Sequence, residues 1–442
     1  HGSFATVDLR GFGDSAVQNC VILIDGIKMN NIDMSNVDLN QISLAQIDRI
    51  EILRGGASVL YGDSAVGGVI NIITKKPEGK KVFTSINYGS YDTADVKLGV
   101  QNVVSNFSYS GEFAKRSSKG YRDHQESEVA NAGVKISYKD EKLPEINFAL
   151  RFYEGNYQLP GGIFQTDWDN GNFSKTYSPL DESSRQDLNM SLSLNKRFSN
   201  ILSETELLFK QTNSESAFPS YFPPSYDERH TEIYSLGQKF KTNLLFADIL
   251  FGGEYYRNLY KITPLTADKL PTPTDDDQRL NRNSLAAFLD IKIPIFSVLN
   301  LTCGVRNETF EQHFVVESVT DTTKSESLYA YYVGLNYMLG KNESVYLKSS
   351  RSYRLPKTDE YISWGGYNPT LKPQTNNEAE FGLKHISREF TVSVGIFTNH
   401  IENEIYYNSV NFMNENYPYP TLREGAELHF EVKPVDNLVI NL

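Results

Sequence analysis

The sequence predicts an all-β transmembrane antiparallel barrel preceded by a small α/β unit. Three observations predict it. Residues 20–76 hold apolar runs cut by Asp25-Gly26, Arg54-Gly55-Gly56, Tyr61-Gly62 and Gly67-Gly68, the layout of a compact glycine-punctuated unit. After Lys80 the pattern changes to period two. The connections between the period-two segments then alternate, short polar turns with long loops, as in outer-membrane barrels.

The front unit reads as follows. Phe4–Arg10 alternates apolar and polar residues, which predicts a strand. Val21–Ile24 is a short buried strand ended by the turn dipeptide Asp25-Gly26. Ser43–Ile47 reads as a short helix, with Ser43 as its N-cap and Gln46 at the third helical position. Arg49–Leu53 is the next strand, Ala57–Tyr61 a helical stretch and Gly67–Thr74 a final strand. Lys75–Gly79 is a polar linker, so the division is 1–79 and 80–442.

In the second region Ile146, Phe148, Leu150 and Phe152 alternate with polar or smaller neighbours. Tyr329, Tyr331, Val333, Leu335 and Tyr337 do the same, as do Phe390, Val392, Val394 and Ile396. Each segment is about ten residues, enough to cross a bilayer at a tilt, and about eighteen are counted up to Leu442. Short turns fall near 139–142, 197–200, 340–343, 386–389 and 434–437. Long connections span 156–182, 213–229, 263–281, 351–375 and about 402–421. The irregular strand spacing argues against propellers and solenoids.

Bulk properties agree. Among 442 residues, Tyr 27 and Phe 25 against Trp 2 and Met 5 suit strands and aromatic girdles. The mean hydropathy of −0.42 is compatible with a membrane barrel, whose strands alternate lipid-facing and lumen-facing residues. No apolar run is long enough for a membrane helix. A net charge of −12 and a pI of about 5.2 exclude nucleic acid as a natural partner. Cys20 and Cys303 make neither a disulfide framework nor a metal cluster and read as small buried residues, a bridge being the lesser option. The chain starts and stops in mid-pattern, so both ends read as cut.

The front unit resembles the plug domain of TonB-dependent outer-membrane receptors. The resemblance is carried by Leu23–Gly26, by Ile47-Asp48-Arg49-Ile50-Glu51-Ile52-Leu53-Arg54-Gly55, by Ala57–Gly62 and by Ala65–Thr74, with Leu9-Arg10-Gly11 as an earlier element. Ser352-Tyr353-Arg354-Leu355-Pro356, Asn368–Pro373, Glu378–Gly382 and Glu424–Leu428 resemble that family's barrel. The resemblance implies a plug inside the lumen of a 22-stranded barrel, with about four strands expected beyond Leu442. The plug is most similar to the cobalamin-type receptors over Val21–Asn40. The family's TonB-contacting box lies before the plug core, and this sequence does not show it.

The resemblance also implies that plug arginines Arg10 and Arg54 pair with wall glutamates Glu380 and Glu427, locking the plug; ordinary solvated lumen residues are the alternative. Its implied partners are TonB with the ExbB/ExbD energy complex, outer-membrane lipid or lipopolysaccharide, a metal-chelate ligand, and a surface or periplasmic binding protein. Candidate ligand contacts on the plug are Asn30, Asn31, Asp33, Met34 and Asn36, whose short polar side chains suit a polar ligand or a plain turn. On the barrel they are loop aromatics, Tyr157, Trp168, Tyr221, Phe222, Trp364 and Tyr367, with Phe164, Phe218 and Tyr226 as further rings. Asp167 and Asp169 space oxygens as calcium loops do, but the later bidentate Glu is missing; no cofactor is expected beyond such a structural ion. Asp275–Asp277 reads as a solvated acidic tip. No nucleophile elbow, H-E-x-x-H or phosphate loop occurs, so no enzyme is expected. The expected function is active uptake of a ferric siderophore or cobalamin-like chelate. A porin or a glycan-importing receptor are the alternatives.

Overall fold

The computed structural model describes residues 5–268, 277–316, 320–363, 366–435 and 438–441. The front unit is a four-stranded sheet in the order β2-β1-β4-β3. Its strands are β1 (Cys20–Ile24), β2 (Ile27–Lys28), β3 (Ile47–Arg54) and β4 (Gly68–Thr74). β1 and β4 pair in parallel, and β1 is buried on both faces, which explains its unbroken Cys-Val-Ile-Leu-Ile run. Ile22 and Ile24 pack with Met29, Val37 and Ile72; Val21 and Leu23 pack oppositely with Ala57, Ala65 and Val69. Asp25 and Gly26, both at positive φ, close a two-residue hairpin between β1 and β2. Two short helices complete the unit, α1 (Ala16–Asn19) and α2 (Ser58–Tyr61). Ser43 does cap a helical turn, but a 3₁₀ one, Leu44–Gln46. The strand expected at 4–10 is absent from its described part, 5–10, where Asp8 accepts from Phe12 N and Gly13 N and Arg10 at φ 69° turns the chain.

Among the described residues seventeen strands form the wall. They begin with β5 (Lys81–Gly89), β6 (Thr93–Val104), β7 (Phe107–Ser118), β8 (Ser127–Tyr138), β9 (Glu145–Gln158) and β10 (Glu182–Phe198). Next come β11 (Ile201–Phe218), β12 (Ser225–Leu244), β13 (Ala247–Pro264), β14 (Gln278–Phe296), β15 (Leu299–Val316), β16 (Thr320–Met338) and β17 (Glu343–Arg354). The loop after β9 carries α3 (Gln165–Asp169), and the loop after β17 carries α4 (Thr358–Tyr361), β18 (Ile362–Ser363) and β19 (Gly366–Tyr367). β20 (Gln374–Ile386) and β21 (Phe390–Glu402) return to the wall. A loop hairpin, β22 (Ile405–Asn408) and β23 (Met413–Asn416), precedes β24 (Thr421–Val435) and β25 (Leu438–Asn441). Consecutive wall strands pair antiparallel, and the sheet closes around the plug as a barrel.

Register gives every wall strand two faces. Phe152 and Leu188 pair and face outward, whereas their neighbours Tyr153 and Asp187 pair and face the plug. The same rule leaves Tyr329, Tyr331, Val333, Leu335 and Tyr337 exposed on the outer surface, as a lipid-facing band requires. Cys303 lies on that outer face, half-buried, while Cys20 is buried in the plug; both are free.

Two expectations are corrected. Apart from β25, described over four residues, the wall strands run from 9 to 20 residues, because on one side many hairpins continue beyond a bilayer's span. For the same reason the connection expected over 213–229 contracts to 219–224, β11 and β12 being paired from Phe218–Ser225 onward. The long connections 159–181, 355–373 and 403–420 stay on the side opposite the tight turns 105–106, 199–200 and 245–246.

Candidate functional site

The plug is held by charge at several points. At Leu9-Arg10-Gly11 two successive left-handed residues, Arg10 and Gly11, turn the backbone and aim the Arg10 side chain at the wall. Its Nη2 donates to Glu380 Oε2 at 2.7 Å; Nη1 lies 3.3 Å from Glu378 and Nε 3.4 Å from Glu427. Only the first has hydrogen-bond geometry; the other two are ion pairs. The guanidinium also sits 4.1 Å from the ring centre of Phe397. Glu380, Phe397 and Gly425 form one inward row across β20, β21 and β24, and a Cβ at Gly425 would meet the Phe397 ring at 2.5 Å. Burial works against the Arg10 charge, but Glu378, Glu380 and Glu427 outweigh it and raise its pKa.

Glu378 was missed as a pairing partner. It lies two residues before Glu380 on the same strand, hence on the same face, and that spacing was the available signal. It also accepts from Gly56 N at 3.1 Å. Gly55, at φ 77°, allows this approach: a Cβ there would stand 2.3 Å from Glu378 Oε1. Arg54 is half-exposed, its Nε 3.8 Å from Glu427, so it touches only the rim of this cluster.

Elsewhere the plug supplies the anion. Asp25, in the hairpin turn, accepts from Thr74 N at 2.8 Å and from Lys135 at 2.6 Å, and also pairs with Arg151. Burial alone would raise its pKa; Lys135 and Arg151 overcome this and hold it below the usual carboxylate range. Asp63 accepts from Leu355 N at 2.7 Å and faces Lys357 at 3.6 Å. Its pKa is likewise depressed, burial being outweighed by Lys357, Lys28 and Arg282. Asp38 accepts from the phenols of Tyr153 and Tyr157, and Gln41 donates to Asp187 at 3.0 Å.

The segment Leu355–Tyr361 crosses the plug's apex as a strap. Thr358 N donates to Ile32 O at 3.0 Å, and Lys357 Nζ to Ser64 Oγ at 3.0 Å and Asn31 O at 3.3 Å. Arg354, fully buried, grips Glu360 with two bonds of 2.8 and 2.9 Å. Above it Ile32 packs with Tyr260, Leu280, Phe314, Tyr361 and Ile405. The apical plug residues are therefore mostly covered. Asn30 is buried and bonds Ile22 N and Cys20 O; Asn31 and Asp33 are buried; Met34 is exposed and Asn36 half-buried. A strap whose bonds span 326 positions of the chain leaves no trace in the local pattern of 30–36.

A recess of about 540 Å³ lies at the upper ends of β7 to β11, where Glu128, Asn156, Glu182, Ser184 and Glu215 share the outward register of Phe152 and Leu188, so it opens on the outer side of the wall and not on the plug. Asp92, Glu126, Glu128, Glu182 and Glu215 line it, with Lys119 as its cation and several serines between. Tyr157 is a buried residue of β9 turned inward onto Asp38, and not a loop ring, because β9 extends to Gln158. Tyr226 likewise lies in β12. Trp168, on the short helix α3 (Gln165–Asp169), is exposed and meets Phe173 edge-on, and Phe164 meets Tyr177. Tyr221 packs edge-on with Phe218 and is exposed, as is Phe222; Tyr367 stacks on Phe314. Trp364 lies outside the described residues, as do Asp275 and Asp276. Asp277 pairs with Lys261. Asp167 already carries the Lys175 ammonium at 3.0 Å, and Asp169 accepts from Gln165 at 2.7 Å, so these oxygens do not converge on a calcium position.

This geometry meets a matching set of known proteins. The family model for the TonB-dependent receptor plug domain matches residues 1–69, and that for the TonB-dependent receptor-like β-barrel matches 136–431. The chain belongs to the TonB-dependent receptor family, whose members are outer-membrane β-barrels. It is 22% identical over 423 residues to the vitamin B12 transporter BtuB of Vibrio vulnificus, covering 92% of this chain and 62% of the relative. It thus spans less than two thirds of that relative's length. A 125-residue stretch, 25% of the chain and 16% of the relative, is 34% identical to the ferric enterobactin receptor PirA of Pseudomonas aeruginosa. The fold matches the ferric yersiniabactin uptake receptor FyuA of Yersinia pestis (TM-score 0.79, 18% identity, 100% of this chain and 72% of that one). It also matches the pyoverdine receptor FpvA of P. aeruginosa (TM-score 0.80, 15% identity, 98% and 70%).

Proposed function

We propose that this chain forms the plug and wall of a receptor that imports a large, scarce nutrient across the outer membrane, with TonB and its ExbB/ExbD complex supplying the energy. One observation carries the reading: the plug fills the lumen yet is held by ion pairs and polar bonds, Arg10, Asp25 and Asp63 foremost. Such contacts hold a stopper in a defined seat, and water can replace them when the stopper is pulled. A passive porin has no use for a separately folded stopper. Collapse of the inner-membrane proton gradient is expected to abolish uptake; uptake that persists would favour the porin.

The relatives and the charge narrow the substrate: the vitamin B12 transporter BtuB aligns over 92% of this chain, which favours a chelate of cobalamin type, and a net charge of −12 disfavours a strongly anionic ferric catecholate. A glycan is the alternative that the same test covers. Native mass spectrometry of the purified receptor against corrinoids, ferric chelates and oligosaccharides is expected to show a metal-chelate complex. Binding of a sugar alone would overturn the chelate assignment.

A further inference from the structure

Strand β2 brings Lys28 to a small cavity of about 60 Å³ between the plug's apex and the wall. Four cations border it, Lys28, Arg282, Arg306 and Lys357, against two carboxylates, Asp63 and Glu308. Arg306 is matched by Glu308 at 3.0 Å and lies 2.9 Å from Glu254, which also faces Lys239 at 3.6 Å. The other three have Asp63 and the remaining field of Glu308, still fewer negative charges than cations. Lys357 lies 3.6 Å from the Asp63 carboxylate, while Lys28 donates to the Asp63 main-chain oxygen at 2.5 Å. Arg282 donates to Gln312 Oε1 at 3.0 Å and to Pro356 O at 2.8 Å.

Carbonyl and amide oxygens satisfy hydrogen bonds without cancelling charge. Arg282 is 2% and Lys357 3% exposed, so the excess cannot be left to bulk water. A buried charge without a counter-charge is costly and is relieved by losing a proton or gaining an ion. An arginine does not lose its proton. We propose that this seam binds one small monovalent inorganic anion, of chloride's size and charge, between Lys28, Arg282 and Lys357. The volume allows it, since a water needs about 10–15 Å³ of such space and the seam offers several times that. Ser284 and Asn258 border the same space and add neutral donors. Burial pushes the Lys28 amine down to about 8, Asp63 opposing and Lys357 pushing it further, and an added anion would relieve that strain on the charge. The anion would join plug, wall and strap, because its three cations come from β2, β14 and the segment after β17.

Crystals of the purified receptor soaked in bromide test the site. The expected result is an anomalous peak within hydrogen-bond reach of Lys28 Nζ and the Arg282 guanidinium. At fixed ionic strength the unfolding temperature should also be higher in chloride than in gluconate, by about 2 °C or more. Lys28→Met, if folded, should lose both signals. Native crystals without a peak in the seam overturn the proposal, and no variant is needed to see that. A peak that survives unchanged in Lys28→Met overturns it as well.

Discussion

The Arg10 cluster and the Asp25 cluster hold the same plug with opposite charge patterns. At the first, a plug cation enters a ring of wall carboxylates, Glu378, Glu380 and Glu427; at the second, a plug anion meets wall cations, Lys135 and Arg151. They differ in burial too: the Arg10 side chain is 1% exposed and that of Asp25 26%. Opposite signs at separate points mean that a turned plug would set like charges against each other. The pairs therefore specify orientation, which a merely apolar interface of equal area would do less sharply.

The largest test removes the buried cation. Arg10→Ala leaves Glu378 and Glu380 with Lys348, 3.4 Å from Glu378, as their remaining cation, and about 3 kcal/mol of stability should be lost, the lower end for a broken buried pair. A lower unfolding temperature and raised ion conductance in planar bilayers are the expected readings; unchanged values in both would show that the cluster is no lock. Gly55→Ala comes next. It puts a methyl group against Glu378 at a positive φ, and a loss of about 1–3 kcal/mol with the same leak is expected.

Asp25→Asn should cost less, about 1–2 kcal/mol, because that pair is partly solvated. Its pH dependence sharpens the comparison. A depressed carboxylate pKa contributes stability that is fully present above the unfolded value of about 4 and lost as pH falls through the folded value. The stability gap between wild type and Asp25→Asn should therefore be widest near neutral pH and close as the pH drops below about 4. A gap that widens on acidification would reverse the assignment. Smallest is Arg54→Ala: half-exposed and 3.8 Å from Glu427, it should change stability by less than about 1 kcal/mol and leave conductance alone.

The parts legible in advance were local. The outer face of the wall could be read because successive strand residues point to opposite faces, so lipid contact writes itself as alternation. The Asp25-Gly26 hairpin and the β1 run were equally visible, being short-range consequences of turn geometry and two-sided burial. Arg10, Glu380 and Glu427 were reached through family resemblance, and nothing in their own neighbourhoods announces that they meet. At 30–36 the polar side chains offer themselves as ligand contacts or a turn, but their cover arrives from Leu355–Tyr361, which no local pattern announces.

The sequence by itself thus determined the two-part architecture, the barrel wall and which face of each strand meets lipid, since those rest on periodicity within a few residues. Only the tertiary structure decided what the inner face does. Arg10 meets Glu378 across 368 positions, and Lys28 meets Lys357 and Arg282, because barrel closure brings distant strands around one plug. Electrostatic partners of that kind carry no sequence period; they exist only once the wall has wrapped around its contents.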